Sequence, residues 1–106
     1  PSKHDEMIAF LSQLTHCIAV ALMTCKDSKH LVEYTGDSFR DLTRIAKINE
    51  NMWSELFLLN KEELLKQITL FEEQLGKLKK TIEEENVDEM KEIMKLSTIR
   101  RSYFDI

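Results

Sequence analysis

Residues that interrupt regular structure are scarce in this chain. Among 106 residues there is one proline, Pro1, and there are two glycines, Gly36 and Gly76. Turns between short strands draw heavily on both residue types, so this scarcity argues against a protein of many short strands. No segment shows convincing alternation of apolar and polar residues with a period of two. The sequence therefore predicts an all-α chain without a sheet.

Cysteine is also scarce, and the two cysteines cannot pair with each other. Cys17 and Cys25 are eight residues apart on one predicted helix. The rise of that helix separates them by about 12 Å, which is beyond the reach of a disulfide. Two unpaired thiols indicate a reducing compartment, and we expect a cytoplasmic location.

The chain lacks the patterns of several functional classes. Its formal net charge is −4, and no concentrated basic face is available to neutralise nucleic-acid phosphates. No apolar run approaches the ~20 residues that span a bilayer, so we expect no membrane partner. Neither a His-x-x-x-His nor a Cys-x-x-Cys pair occurs, so we expect no metal site. Without a glycine-rich phosphate loop, these residues alone should not hold a nicotinamide cofactor.

Apolar residues recur at steps of three and four along two long segments, which predicts two long helices. The first is expected from about residue 4 to about residue 25, with a stripe formed by Met7, Leu11, Leu14, Ile18, Leu22 and Cys25. The second is expected to begin at Asn60, with a stripe formed by Leu64, Ile68, Phe71, Leu75, Leu78 and Ile82.

Shorter helices are expected between and after the long ones. They should cover residues 27–33, a segment capped by Asp37 or Ser38, the apolar segment Met52–Leu59, and a last segment ending near residues 101–104. A helix that is apolar on most sides should be buried. The fold class is a helical bundle of about five to six helices. Two long stripes on so short a chain expose more apolar surface than one domain easily covers, which predicts an intertwined homodimer.

Two clusters could carry chemistry. Ser12, Gln13 and His16 lie close together on an otherwise apolar helix. They are either a buried histidine with its hydrogen-bond partners in the core, or hydrogen-bond donors on the wall of a pocket. Arg40 and Arg44 are one helical turn apart. They form either an ordinary ion pair between helices or a site for a carboxylate, which arginine binds through two parallel hydrogen bonds.

The second cluster and its surroundings resemble the prephenate dehydrogenase family, and the resemblance runs from His4 to about Asp105. Most of it is carried by a charged string, a Met-Trp pair and flanking positions, namely Gly36, Phe39, Arg40-Asp41, Thr43-Arg44-Ile45-Ala46, Met52-Trp53, Asn60 and Leu64-Leu65. The N-terminal part contributes His4-Asp5, Ser12, Leu14 and His16.

This resemblance implies a fold and a function. The family oxidatively decarboxylates prephenate to 4-hydroxyphenylpyruvate with NAD or NADP, on the route to tyrosine. Its N-terminal half holds the cofactor and the catalytic histidine, while its helical C-terminal half forms the homodimer and completes the substrate pocket. Residues 1–106 would be that C-terminal domain, without the nucleotide-binding domain. We therefore expect no catalytic residue in this chain and no dehydrogenase activity from it alone.

The resemblance also implies roles for individual residues. Arg44 would bind a substrate carboxylate, and His16, Ser12 and Trp53 would line the pocket near the substrate and the inhibitor tyrosine. Arg40, Asp41 and Gly36 would lie at the pocket mouth, near the subunit boundary.

This sequence departs from the family pattern at two positions of the first cluster. Gln13 stands where the family has a histidine, so it would contribute a hydrogen bond to the pocket but no charge. Thr15 stands where the family has a proline, and losing that proline should leave the first helix less kinked. The departures leave open whether the substrate is prephenate or arogenate, and whether tyrosine inhibits. The competing class is a helical interaction module with no substrate.

Overall fold

The computed structural model describes residues 2–27 and 29–105, and all regular structure within these ranges is helical. This confirms the all-α prediction. Two short 3₁₀ segments, Lys29–Tyr34 and Arg44–Ala46, and one π-helical turn, Ala9–Gln13, accompany six α-helices. The six are α1 (Ser2–Ile8), α2 (Leu14–Thr24), α3 (Asp37–Thr43), α4 (Glu50–Leu59), α5 (Lys61–Glu83) and α6 (Val87–Ser102).

The chain divides into two compact units, Pro1–Ile68 and Thr69–Ile106. The first unit contains α1 to α4 and the beginning of α5, together with every candidate site residue. The second unit contains the rest of α5 and α6.

The first long helix is continuous over residues 2–24 but is not α-helical throughout. Within it, the Leu14 backbone N–H donates to the carbonyl of Ala9, five residues earlier, which defines the π turn. A π turn accommodates one more residue than an α turn and shifts the register of the side chains before it. The predicted stripe is therefore wrong at its N-terminal end, because Met7 and Leu11 are exposed while Ala9 and Gln13 are buried.

The same helix is long and apolar enough to span a bilayer. Lys3–Thr24 has 22 residues, and its mean hydropathy reaches 1.7. By length and composition, the expectation that no apolar run approaches the length needed to span a bilayer is therefore wrong for this helix. Short polar side chains such as Ser12 and Thr15 interrupt the apolar run in the sequence without lowering its average hydropathy enough to exclude it.

The segment around Arg44 begins and ends differently from the prediction. Gly36 is the residue that precedes α3, and no side chain caps this helix end, so the expected cap by Asp37 or Ser38 is wrong. The helix stops at Thr43, whose hydroxyl donates to the Phe39 carbonyl 2.7 Å away. Arg44 then opens the tighter 3₁₀ turn, which packs against α2.

α4 is less buried than its composition suggests. Asn49 precedes it and its side chain accepts a hydrogen bond from the Met52 N–H at 3.1 Å, which fixes where the helix begins. Leu58 and Leu59 are largely exposed, so the prediction of a buried helix is wrong for the single chain. Apolar composition predicts that the surface of α4 will be covered, but no described residue of this single chain covers Leu58 and Leu59.

α5 and α6 follow the prediction closely, and they also leave apolar side chains exposed. Leu64 is buried within the first unit, but Phe71, Leu75 and Ile82 on the same predicted stripe are exposed. Residues 84–86 separate the two helices, and the Asn86 side chain caps α6 by accepting from the Glu89 N–H.

Candidate functional site

The first cluster is built on the π turn and the beginning of α2. Ser12 and Gln13 are the last two residues of the π turn, and His16 lies in the first turn of α2. Ser12 and His16 are half-buried and Gln13 is buried. Carbonyls near a π turn are available to side-chain donors, and the Thr15 hydroxyl lies 2.7 Å from the Ser12 carbonyl.

One hydrogen bond fixes the form of the His16 ring. Its Nδ1 lies 2.7 Å from the carbonyl oxygen of Ser12. A carbonyl can only accept, so Nδ1 carries the hydrogen and donates it. Nε2 is then the nitrogen left for a ligand. It accepts a hydrogen bond when the ring is neutral and donates one when the ring is protonated.

An aromatic residue from α4 covers the imidazole. The ring centroids of His16 and Trp53 are 3.9 Å apart, and the ring planes are inclined by only 22°. Phe57, one turn further along α4, lies 5.7 Å from Trp53 in a tilted arrangement. The structure therefore brings together two of the predicted site residues from segments 37 residues apart in sequence (53 − 16 = 37).

Gln13 is held in a chain of hydrogen bonds inside the first unit. Its side-chain Nε2 donates to the Leu56 carbonyl at 3.1 Å, and its Oε1 accepts from the Asn60 Nδ2 at 2.9 Å. The same Asn60 nitrogen donates to the Asp5 carbonyl at 3.0 Å. Gln13 is only 4% exposed. The sequence did not predict this role of Asn60, which it marked only as the start of the second long helix and as part of the family pattern.

The second cluster is exposed and largely unpaired. Among the described residues, no hydrogen bond or ion pair holds the side chain of Arg44 or of Asp41, and both are exposed. Arg40 is also exposed, and its Nη2 donates to the Val32 carbonyl at 3.3 Å. The ordinary ion pair that was weighed for these arginines is therefore absent from the part of the chain described.

Two cavities adjoin the second cluster. Gly36 lines one of about 360 Å³ together with Leu22, Tyr34 and Phe39, and its walls are mostly apolar. Arg40 lines a smaller one of about 190 Å³.

The two clusters lie on elements that pack against each other, but no hydrogen bond among the described residues links their site residues. The Arg44 turn packs against α2, the helix that carries His16. Within residues 2–27 and 29–105, however, no hydrogen bond joins the Arg44 side chain to that of His16.

The chain offers little for other kinds of site. No group of three or more His, Cys, Asp or Glu side chains within the described ranges could hold a metal ion. Cys17, next to His16, is half-buried, and this burial raises the pKa of its thiol above the ordinary value. A raised pKa keeps the sulfur protonated and makes it a poorer nucleophile.

The family model of the prephenate dehydrogenase dimerization domain matches residues 1–96. The chain belongs to this family. The resemblance to the prephenate dehydrogenase family, which the sequence analysis based largely on the residues around Arg44, is thereby confirmed.

Relatives of known name agree with this membership. A cyclohexadienyl dehydrogenase of Zymomonas mobilis is 32% identical over 100 residues, covering 89% of this chain and 34% of the relative. A solved prephenate dehydrogenase from A. aeolicus, in complex with hydroxyphenyl propionate and NAD⁺, is 37% identical with a TM-score of 0.87 over 97% of this chain and 38% of its own. A Synechocystis arogenate dehydrogenase has the same fold, with a TM-score of 0.87 at 20% identity over 98% of this chain and 40% of its own.

The match is confined to part of each relative. The chain spans 26% to 34% of the length of the first two curated relatives that it matches, one of them the prephenate dehydrogenase of Bacillus subtilis at 26% identity over 85% of this chain. The fold of a dimerization domain in the prephenate dehydrogenase family is what these comparisons have in common.

Proposed function

We propose that this chain is the substrate-binding and dimer-forming domain of a prephenate dehydrogenase. That enzyme oxidatively decarboxylates prephenate to 4-hydroxyphenylpyruvate with NAD or NADP, in tyrosine biosynthesis. The observation that carries the proposal is the match of the dimerization-domain family over residues 1–96. The geometry adds an unpaired guanidinium and a fixed imidazole on two segments that pack against each other.

Arg44 is the proposed carboxylate ligand. Prephenate carries two carboxylates. An arginine binds one carboxylate most strongly through two parallel hydrogen bonds in a partly dry cleft. A guanidinium without a partner among the described residues is available for that role. The A. aeolicus relative holds hydroxyphenyl propionate, which joins an aromatic ring to a carboxylate and supports recognition of this ligand class.

His16, Ser12 and Trp53 form the proposed wall beside the substrate ring. His16 stacks on Trp53, and its Nε2 is the ring nitrogen left for a ligand. Pockets lined mainly by apolar and aromatic side chains with a few polar groups bind small ring compounds with defined orientation. Gln13 was expected to contact substrate too. The hydrogen bonds that it already makes support a role behind the wall instead.

The cofactor is proposed to lie mainly outside these residues. NAD or NADP needs a phosphate-binding loop at the junction of a strand and a helix. The described residues contain no strand, and the sequence has no glycine-rich loop, so this chain does not fit the cofactor on its own. We expect no dehydrogenase activity from the 106 residues alone, and prephenate turnover by them would contradict this.

The proposed partner is a second copy of the chain. Large apolar side chains such as Phe10 and Leu59 are exposed in one copy, and dimer formation would cover such a surface. Arg40, Asp41 and Gly36 would then lie near the subunit boundary. We propose a cytoplasmic enzyme with no membrane or nucleic-acid partner, in which protein rather than lipid covers the apolar N-terminal helix.

The test of the carboxylate site is Arg44→Ala in the full-length enzyme. We expect weaker substrate binding by roughly 2–5 kcal/mol if the carboxylate is left buried and unpaired, seen as a higher KM for prephenate. The matched control is Arg100→Ala, which removes an exposed arginine from α6 in the second unit. An unchanged KM and kcat in the Arg44 variant would refute the role.

The same assay separates the alternatives. Arogenate differs from prephenate by an amine in place of a keto group, and the Zymomonas relative is named a cyclohexadienyl dehydrogenase. Both substrates are therefore assayed, each with and without tyrosine as inhibitor. Turnover of arogenate alone would favour an arogenate dehydrogenase, and turnover of neither would favour a helical interaction module.

A further inference from the structure

Four contacts join the N-terminal helix to α4 and the residue after it, and three of them show how the two segments are aligned. Asn60 contacts Asp5, Leu56 contacts Gln13, and Trp53 contacts His16. Residue numbers rise along one helix as they fall along the other, so the paired segments run in opposite directions. The last two contacts lie three residues apart on both helices, which is about one helical turn.

The hydrogen bonds among these contacts have one possible direction. The carbonyls of Asp5 and Leu56 can only accept, so the amide nitrogens of Asn60 and Gln13 must face them. The Gln13 oxygen then meets the second hydrogen of the Asn60 nitrogen. Both amide groups are fixed in orientation, and two backbone carbonyls terminate the chain of bonds.

This network can set the register of the two helices. Apolar contact between helices is non-directional, and a shift by one turn would replace one apolar neighbour by another. A buried glutamine permits no such shift, because its donor and acceptor would lose their partners. The turn that follows Gln13 carries His16, and the turn that precedes Leu56 carries Trp53.

We propose that Gln13 and Asn60 are positioning residues that hold the imidazole of His16 against the indole of Trp53. The link to substrate binding rests on the proposed function, in which that stack forms one wall of the pocket. Neither residue needs to touch the substrate. The property that matters at position 13 is one donor beside one acceptor, and at position 60 an amide nitrogen with two hydrogens.

The first test measures the stack directly in the 106-residue chain. The Trp53 ring current should move the His16 ring-proton resonances upfield, and Trp53→Leu identifies that shift. Gln13→Met, which keeps the side-chain length without the amide, and Asn60→Asp should both lose most of the shift. Gln13→His at pH 8 should keep it, because a neutral imidazole also offers one donor and one acceptor.

Matched controls separate the network from general effects of charge. Asn51→Asp makes the same change as Asn60→Asp at an exposed position on α4, and Gln74→Met repeats the glutamine change at an exposed position on α5. Both should keep the His16 shift. Full retention of the shift in folded Gln13→Met or Asn60→Asp would overturn the proposal. Should both fail to fold, Gln13→His decides, because loss of its shift at pH 8 would also overturn it.

The second test is kinetic and uses the full-length enzyme. Asn60→Asp should raise the KM for prephenate by about tenfold or more with a smaller change in kcat, since it disturbs binding rather than hydride transfer. Gln13→His should stay near the parent values at pH 8. Loss of the His16 shift with an unchanged KM would support the positioning role and refute the proposed pocket. Retention of the His16 shift in Asn60→Asp would overturn the positioning role whatever the kinetics.

Discussion

A single backbone carbonyl decides which nitrogen of His16 can meet a ligand. The Ser12 carbonyl takes the Nδ1 hydrogen, so the ring is held in one tautomer and Nε2 is its only free nitrogen. The Trp53 ring stacks on the imidazole and favours this same orientation. In the proposed pocket, a ring held in this way would lose less entropy when a substrate binds.

The two cysteines should differ in reactivity. Burial raises the pKa of the Cys17 thiol, so at pH 8 less of it is thiolate than in an unfolded chain, and we expect iodoacetamide to label it more slowly than exposed Cys25. Because the folded-state pKa is raised, this group's contribution to stability is present below the ordinary thiol pKa and is lost as pH rises through the raised value.

Timed labelling followed by mass spectrometry measures both rates. Cys17→Ser and Cys25→Ser each leave a single thiol and serve as references. Equal rates at the two sulfurs in the folded protein would contradict the prediction.

At the scale of one residue, the sequence predicted that Ser12, Gln13 and His16 lie close together, but it did not predict which other residues they contact. Ser12, Gln13 and His16 are neighbours on any helix, so their proximity follows from local spacing. The partners of Gln13 are 43 and 47 residues away. A contact at such a distance depends on how two helices are aligned, and hydrophobic periodicity does not determine that alignment to within one turn.

Among the secondary-structure elements, the turn between α5 and α6 contains local strain. Glu85 has φ of 52°, and it is the one non-glycine residue with positive φ in the described ranges. A side chain in this left-handed region costs about 1–2 kcal/mol, because its Cβ crowds the following carbonyl. The sequence offered no sign of this, since Glu84, Glu85 and Asn86 look like ordinary polar residues between two helices.

Replacing Glu85 by glycine should stabilise the protein. Relief of the strained backbone outweighs the greater entropy of glycine in the unfolded chain, and we expect a net gain of about 0.5–1 kcal/mol. Urea denaturation at a fixed protein concentration measures it. Glu84→Gly is the control and should lower the midpoint, because Glu84 has no positive φ to relieve. A lower midpoint for Glu85→Gly would show that the turn is not strained.

On the scale of the whole molecule, exposed apolar side chains outnumber buried ones. Four apolar residues are buried, whereas 24 large ones are exposed among the residues described. The sequence predicted this surplus from the length of its two stripes, but it assigned Met52–Leu59 to the interior. Periodicity shows which side chains avoid water. Whether their own chain or another covers them depends on surfaces that a single chain does not contain.

Self-association should therefore be strong and should depend on the N-terminal helix. Phe10 and Leu11 are 54% and 58% exposed, and we expect the chain to sediment as a dimer at micromolar concentration. Phe10→Glu with Leu11→Glu should shift it toward monomer, because a charge within an apolar interface loses its hydration.

Lys77→Glu, a charge change at an exposed polar position of α5, is the control for that experiment and should leave the dimer intact. Sedimentation of the parent chain as a monomer would contradict the dimer prediction outright.

The π turn determines where the N-terminal helix tolerates a change of length. Because the turn holds one residue more than an α turn, deleting exposed Leu11 would let the segment close into ordinary α-helix while the residues before it keep nearly the same orientation about the helix axis. The Asp5 carbonyl would then stay near the Asn60 amide. Deleting exposed Thr15 from the α-helical turn between Gln13 and His16 would instead rotate these two residues by about 100° relative to each other, and should be far more damaging.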